Sequence, residues 1–247
     1  MIEVKGVNQR YLFTKSNVLN DLSFSVNEFD SCALVGNNGC GKTTIIKILC
    51  NLINYDSGEI KINGNRLVPE YVSYKRDWGI VLSKPYFIEE FNVTEYLDFV
   101  GKFQKIEKQL IKPRIDDLIS LLSLGEHGRK KIKELSSGSQ MKVSLAASLI
   151  HNPDFLILDE PFINLDISTV ERVMTILKSF RGKKTLMITS HNLEIITELC
   201  DKILIMEKGH ISSELENKSF ESSNDLKTKI QERLSKNESL VKAEWLS

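Results

Sequence analysis

Residues 36–43 of the 247-residue chain read Gly36-Asn37-Asn38-Gly39-Cys40-Gly41-Lys42-Thr43, with a second threonine at Thr44. The spacing fits G-x-x-x-x-G-K-[S/T], a pattern with a mechanism behind it. The glycines let the backbone turn so that successive N–H groups point at one spot. That nest, with the positive end of the following helix, holds anionic phosphate oxygens. Lys42 then reaches the β- and γ-phosphates, and the Thr43 hydroxyl is placed to ligate Mg²⁺. The whole turn, Gly36 to Thr44, is the expected cradle for a nucleoside triphosphate.

A second acidic element complements it. Four apolar residues, Phe155 to Leu158, run into Asp159 and Glu160. At the end of a strand beside the phosphate turn, Asp159 is expected to hold Mg²⁺ through water. Glu160 sits one residue further on, where a carboxylate can polarise an attacking water as general base. The stretch "TLMITSHN" repeats that geometry on another strand, whose end is His191, and its imidazole can hydrogen-bond the γ-phosphate. Lys42, Glu160 and His191 are thus the catalytic candidates, and Thr43 and Asp159 the metal ligands.

The elements that must position these groups are legible in outline. "MIEVKGVNQRYL" and "VLNDLSFSVNE" alternate apolar and polar residues as strands do. "SCALVG" is a continuous apolar run, expected of a strand buried on both faces, and "KTTIIKILCNLI" follows it as a helix. "SGEIKINGNRL" is a strand turned at Asn63-Gly64, and "DWGIVLSKP" is a short strand stopped by Pro85. Asn92 with Glu95 three residues on is a capping box that opens a helix. From there to about residue 150 the pattern is helical, through "RIDDLISLLSLG" and "SSGSQMKVSLAASLIHN". "FLILDEP", a helix near "STVERVMTILKSF", and "TLMITSH" then form β-α-β, and "KILIMEKGHISSE" is a hairpin around Lys208-Gly209. The fold class is α/β: a mainly parallel sheet core, an antiparallel β subdomain at the N-terminus and an inserted helical subdomain at about 88–150. The core domain covers residues 1–215. Residues 216–247 are a polar extension, read as a solvated amphipathic helix or a frayed tail.

Composition narrows the function classes. Lys plus Arg equals Asp plus Glu, 33 each, so the balance does not favour a general nucleic-acid binder and no nucleic-acid partner is expected. The cysteines Cys32, Cys40, Cys50 and Cys200 have no metal or disulfide spacing, as suits a reducing cytosol. Cys40 lies inside the anion nest, where a lowered thiol pKa and protection by nucleotide are expected. No apolar run approaches the ~18 residues that span a bilayer, and the N-terminus lacks the apolar block of a signal peptide.

In this order, "GNNGCGKTT", "LSSGSQMK", "FLILDEP", "NLD" and "TSH" resemble the ATP-binding subunit of an ABC transporter, over residues 1 to about 215. The resemblance implies ATP and Mg²⁺ as cofactors, and hydrolysis in a head-to-tail dimer with a second copy or a homologous ATPase subunit. It implies a separate transmembrane permease and a cytoplasmic location, peripheral on the inner face of the membrane. It makes Leu135-Ser136-Ser137-Gly138-Ser139-Gln140 the signature, where Ser136, Ser137 and Gly138 open a helix facing the γ-phosphate bound to the opposite subunit. By the same analogy, Asp166 of Asn164-Leu165-Asp166 lies at the dimer interface. Tyr11 is the expected adenine-stacking aromatic when counted from the first strand; counting back from Val18 gives Phe13, and Tyr11 is favoured. Ser83 stands where the family usually has a glutamine that touches Mg²⁺ and the attacking water. Being shorter, it is expected to act only through a bridging water.

Two readings from other classes remain at this point. One is a soluble ABC-type regulator acting on nucleic acid or ribosomes; such forms usually carry two ATPase units or long insertions, and this chain has neither. The other is a P-loop phosphotransferase, which leaves the "LSSGS" helix unexplained.

Overall fold

The computed structural model describes residues 1–11 and 16–235, so Phe13 lies outside the described residues. Four strands form an antiparallel sheet: β1 (Ile2–Gln9), β2 (Leu19–Val26), β4 (Ser57–Ile62) and β5 (Asn65–Arg66), in the order β2-β1-β4-β5. Six strands form the larger sheet: β3 (Ser31–Val35), β6 (Trp78–Val81), β7 (Phe155–Asp159), β8 (Thr185–Thr189), β9 (Lys202–Glu207) and β10 (His210–Glu216), in the order β10-β9-β3-β8-β7-β6. Every pairing in it is parallel except the β9–β10 hairpin. The helices are α1 (Lys42–Leu49), α2 (Val93–Phe103), α3 (Lys108–Leu121), α4 (Ser137–Leu149), α5 (Ile167–Ser179), α6 (Leu193–Leu199) and α7 (Ser223–Ser235).

Burial follows the expected alternation. β1 buries Ile2, Val4, Val7 and Gln9, and its register shifts between Val4 and Val7 account for the break in the two-residue period. β3, β7 and β8 are buried at every position, as strands covered on both faces must be. Successive residues of β3 feed opposite cores. Ala33 and Val35 join the helical side with α2 to α6, whereas Cys32 and Leu34 join α1 and the antiparallel sheet. Thus α1 is packed between the two sheets.

Local signals set the ends of elements. The capping box forms as read: Glu95 N donates to Asn92 Oδ1 and Asn92 N donates to Glu95 Oε2, both at 2.9 Å. At both hairpin turns the residue pair takes the two positive φ angles that a primed turn requires, 51° and 78° at Asn63-Gly64 and 44° and 86° at Lys208-Gly209. The short helix α6 carried no separate expectation; Asn192 caps it by accepting from Glu194 N at 2.9 Å. The polar stretch after 215 forms α7, and it is not fully solvated. Leu226 and Ile230 are completely buried against the helical-side core.

The consequence for chemistry is topological. The loop after β3, the end of β8, the end of β7 and the loop after β6 lie side by side at the carboxyl edge of four neighbouring parallel strands. That edge is where α/β sheets bind ligands.

Candidate active site

A cleft of about 460 Å³ opens at that edge. Tyr11, Asn38, Gly39, Gly41, Lys42, Thr43, Thr44, Asp159, Glu160 and His191 line it, joined by Val18 and Ile163, which were not among the candidate site residues. The Tyr11 hydroxyl lies 3.2 Å from Thr44 Oγ1, which ties the aromatic to the first turn of α1.

Inside the phosphate turn, Lys42 is buried and folds back on its own loop. Its Nζ donates to the carbonyls of Gly36 at 2.6 Å and Asn37 at 3.2 Å. An ammonium held this way keeps its charge solvated by carbonyl dipoles and can exchange them for phosphate oxygens at little reorganisation. Gly36 is required by packing: a Cβ there would lie 2.3 Å from the Met206 carbonyl oxygen. Cys40 departs from expectation. Its thiol is buried and lies with Asn37, Met206 and Glu207 along a smaller hollow behind the turn. Burial pushes the thiol pKa up and outweighs the opposing pull of the Lys42 ammonium and the backbone N–H groups. The reactive thiolate expected from the helix N-terminus is therefore not what this environment favours.

Asp159 ends β7 with no exposure at all. Three hydroxyls converge on its carboxylate. Thr189 Oγ1 donates to Oδ1 at 2.7 Å, while Ser83 Oγ and Thr43 Oγ1 donate to Oδ2 at 2.8 and 3.1 Å. Ser83 thus bears directly on the carboxylate. Thr189 is a site residue that the sequence reading missed. Within an apolar strand its hydroxyl looks incidental until the parallel register sets it opposite Asp159.

Glu160 follows with φ 51°, a left-handed conformation that is uncommon outside glycine and concentrates at functional sites. Its backbone N–H donates to Thr189 Oγ1 at 3.0 Å and to the Thr189 carbonyl at 3.2 Å. The side chain points into the cleft, mostly buried, with Oε1 3.2 Å from His191 Nε2. That approach lacks hydrogen-bond alignment, so Oε1 is a buried acceptor with no hydrogen-bond partner among the described residues. Burial raises the Glu160 pKa above its ordinary value, opposed by His191 and Lys42. A carboxylate that lines a polar cleft and is biased toward holding a proton has the chemistry of a general base.

The signature residues lie elsewhere. Ser136, Ser137 and Gly138 do not line their own chain's cleft. Ser136 caps α4 by accepting from Ser139 N at 3.2 Å, and Ser137 Oγ accepts from Asn164 Nδ2 at 3.2 Å. Asp166 caps α5 through Thr169 N at 2.8 Å and pairs with Lys142 at 2.7 Å, contacts that hold its carboxyl well below the usual range.

The sequence profile of the ABC transporter family matches residues 19–163, a span that runs from the second strand to the turn after Glu160. This chain belongs to the ABC transporter family. An uncharacterised ABC transporter ATP-binding protein of Methanocaldococcus jannaschii is 36% identical to it over 209 residues, covering 84% of this chain and 75% of that one. The linearmycin resistance ATP-binding protein of Bacillus subtilis is 29% identical over 212 residues, covering 85% and 68%. Among solved structures, the ATP-binding subunit of an ABC transporter superposes with a TM-score of 0.82 at 25% identity, covering 94% of this chain and 99% of that one. A dimeric ATP-binding cassette in a post-hydrolysis state bound to ADP and phosphate gives 0.80 at 22% identity, covering 89% and 100%. The α/β architecture read from the sequence is therefore that of an ABC cassette.

Proposed function

We propose that this chain is the ATP-hydrolysing subunit of an ABC transporter, working as a head-to-tail pair beneath a separate membrane-spanning permease. The observation that carries this reading is the convergence of Lys42, Thr43, Asp159, Glu160 and His191 on one cleft from neighbouring strand ends.

ATP fits with its phosphates over the N-terminus of α1 and its base toward Tyr11. Lys42 leaves the Gly36 and Asn37 carbonyls to neutralise the β- and γ-phosphates. The Thr43 hydroxyl and the Asp159 carboxylate are an all-oxygen pair that suits Mg²⁺ completed by phosphate and water oxygens. When bound, the cation supplies neutralisation of the charge that builds up on the phosphates. The Glu160 carboxylate accepts the proton of the attacking water as its oxygen approaches the γ-phosphorus. His191, which lies 3.2 Å from Glu160 and lines the same cleft, holds the γ-phosphate in line.

The second copy enters through α4. Ser136 and the backbone at Gly138 form the N-terminal tip of a 13-residue helix, a surface that attracts an anion. Facing the mate's γ-phosphate, this tip completes the other site, and Asp166 lies along the same contact. ATP then binds the closed pair better than the open one, and hydrolysis removes that difference.

The permease meets the groove between the parallel sheet and the helical insert. This hollow of about 330 Å³ is lined by Trp78, Tyr86, Tyr96, Val100, Phe103 and His151, among others. Among the described residues, no helix is long and apolar enough to cross a membrane. In this reading the chain works from the cytoplasmic face, held there by its partner. Two measurements test the proposal together: phosphate release from ATP, and co-purification from membranes with a hydrophobic protein. A phosphorylated acceptor in place of free phosphate, or a chain that fractionates with ribosomes or nucleic acid, would overturn it.

A further inference from the structure

Thr189 closes β8 fully buried, and its hydroxyl stands between the two acidic residues of the site. The oxygen lies 2.7 Å from Asp159 Oδ1 and 3.0 Å from the backbone nitrogen of Glu160. An amide N–H only donates, so the hydroxyl oxygen accepts from Glu160 and its single proton goes to Asp159. The hydrogens have one arrangement, and it links the carboxylate of one residue to the backbone of the next.

The other donors to Asp159 are differently placed. Thr43 is the hydroxyl a bound cation would draw away, and Ser83 sits in a partly exposed loop beyond β6. Thr189 alone of the three belongs to a buried strand, in register with Asp159. Its β-branched side chain has restricted χ1 freedom, so the hydroxyl direction is set by the strand. Glu160, at φ 51°, needs its N–H anchored to keep a conformation that costs energy for a non-glycine residue.

We infer that Thr189 is a positioning residue for ATP hydrolysis, whose hydroxyl aims the Asp159 carboxylate at the cation position and, together with the Thr189 carbonyl, anchors the Glu160 N–H in its left-handed turn. The inference rests on the proposed roles of Asp159 and Glu160. One side chain thereby sets the metal ligand and the base relative to each other. Groups that orient metal ligands in this way typically matter almost as much as the ligands themselves.

Valine keeps the shape of Thr189 and loses the proton; serine keeps the proton and loses the methyl. In the full chain, Thr189→Val is expected to lower kcat for phosphate release on the order of 10–100-fold. ATP affinity measured in EDTA by displacement of a fluorescent nucleotide should be unchanged, while the gain in affinity on adding Mg²⁺ should be largely lost. Thr189→Ser should recover most of both. If Thr189→Val does not fold, judged by circular dichroism, Thr189→Ala takes its place under the same readings. A Thr189→Val chain with normal turnover and a normal Mg²⁺ effect overturns the inference. So does Thr189→Ser damaged as badly as Thr189→Val, which would assign the role to the methyl, and so does loss of ATP affinity in EDTA, which would mean general damage. If the wild-type chain releases no phosphate at all, it is the ATPase reading itself that fails.

Discussion

The Nε2 atom of His191 lies 3.2 Å from Oε1 of Glu160, yet that oxygen has no aligned hydrogen-bond donor among the described residues. The pair is close enough to interact without forming an aligned hydrogen bond. Burial holds the Glu160 pKa above its ordinary 4.5, against the pull of His191 and Lys42. The folded chain therefore binds this proton more tightly than the unfolded chain does. Between the unfolded and folded pKa values, stability falls as pH rises, and above the folded value the buried charge is a constant penalty.

Replacing that charge tests both sides of the argument. Glu160→Gln should melt at a higher temperature than wild type at pH 8, and the difference should shrink as pH falls through the raised pKa toward 4.5. Phosphate release should drop about 10²–10⁴-fold, the usual contribution of a general base. With hydrolysis blocked, ATP should hold the variant as a dimer in size-exclusion chromatography. A monomer in saturating ATP and Mg²⁺ would count against the sandwich.

Gly138 separates nucleotide binding from closure. A Cβ at this position would lie 2.2 Å from the Asn164 carbonyl oxygen, a backbone atom that cannot swing aside. The same turn is tied to α4 by Asn164 Nδ2 to Ser137 Oγ at 3.2 Å and by Lys142 to Asp166 at 2.7 Å. Gly138→Ala must push the tip of α4 off this turn, at a cost of about 1–3 kcal/mol. Introduced beside Glu160→Gln, it should abolish the ATP-dependent dimer while leaving fluorescent-nucleotide binding to the single chain intact. A dimer of undiminished stability would show that the tip does not face the mate.

Much of this site was legible because the residues that do chemistry at a strand end come with local signals. The glycine spacing marks Lys42 and Thr43, and the apolar run marks Asp159 and Glu160. The capping pair at Asn92 and the hairpin turns at Asn63 and Lys208 are equally local and form as read. What was hidden depends on register and burial. Thr189 matters because β8 pairs with β7 so as to set it opposite Asp159, and no period in the sequence encodes that pairing. α7 looked like a solvated tail because most of its residues are polar; only docking shows that Leu226 and Ile230 are enough to bury one face. Cys40 was misjudged because the pull of a helix N-terminus can be read from spacing, whereas the desolvation that exceeds it cannot.

That desolvation gives its own expectation. Cys32, Cys40, Cys50 and Cys200 are all free and buried, and burial raises the pKa of each thiol. The thiolate is the reactive form. At pH 7.5 the native chain should react with a chromogenic disulfide far more slowly than free cysteine, and should release all four equivalents only on unfolding in guanidinium. One rapid equivalent in the native chain, suppressed by ATP, would restore the reactive Cys40.

Ser83 bears on the rate through Asp159. Its hydroxyl donates to Oδ2 at 2.8 Å, the oxygen that also receives Thr43. When a cation draws the Thr43 hydroxyl away, Ser83 remains the only one of the two donors on that oxygen. Without it the carboxylate is free to rotate about its bond, held only at Oδ1 by Thr189. A hydrogen bond to a charged group is worth about 1.5–3 kcal/mol, and partial exposure places this one at the low end. Ser83→Ala should therefore lower kcat about tenfold, with the KM for ATP little changed. Ser83→Gln tests the alternative in which the position needs reach. A glutamine arm extends past Asp159 toward the cation and the water, and it gives up the short bond to Oδ2. If orientation of Asp159 is what Ser83 supplies, the glutamine variant turns over no faster than wild type. A Ser83→Gln chain that outpaces it, with a steeper Mg²⁺ dependence, would mean that serine is a shortened substitute for a longer arm.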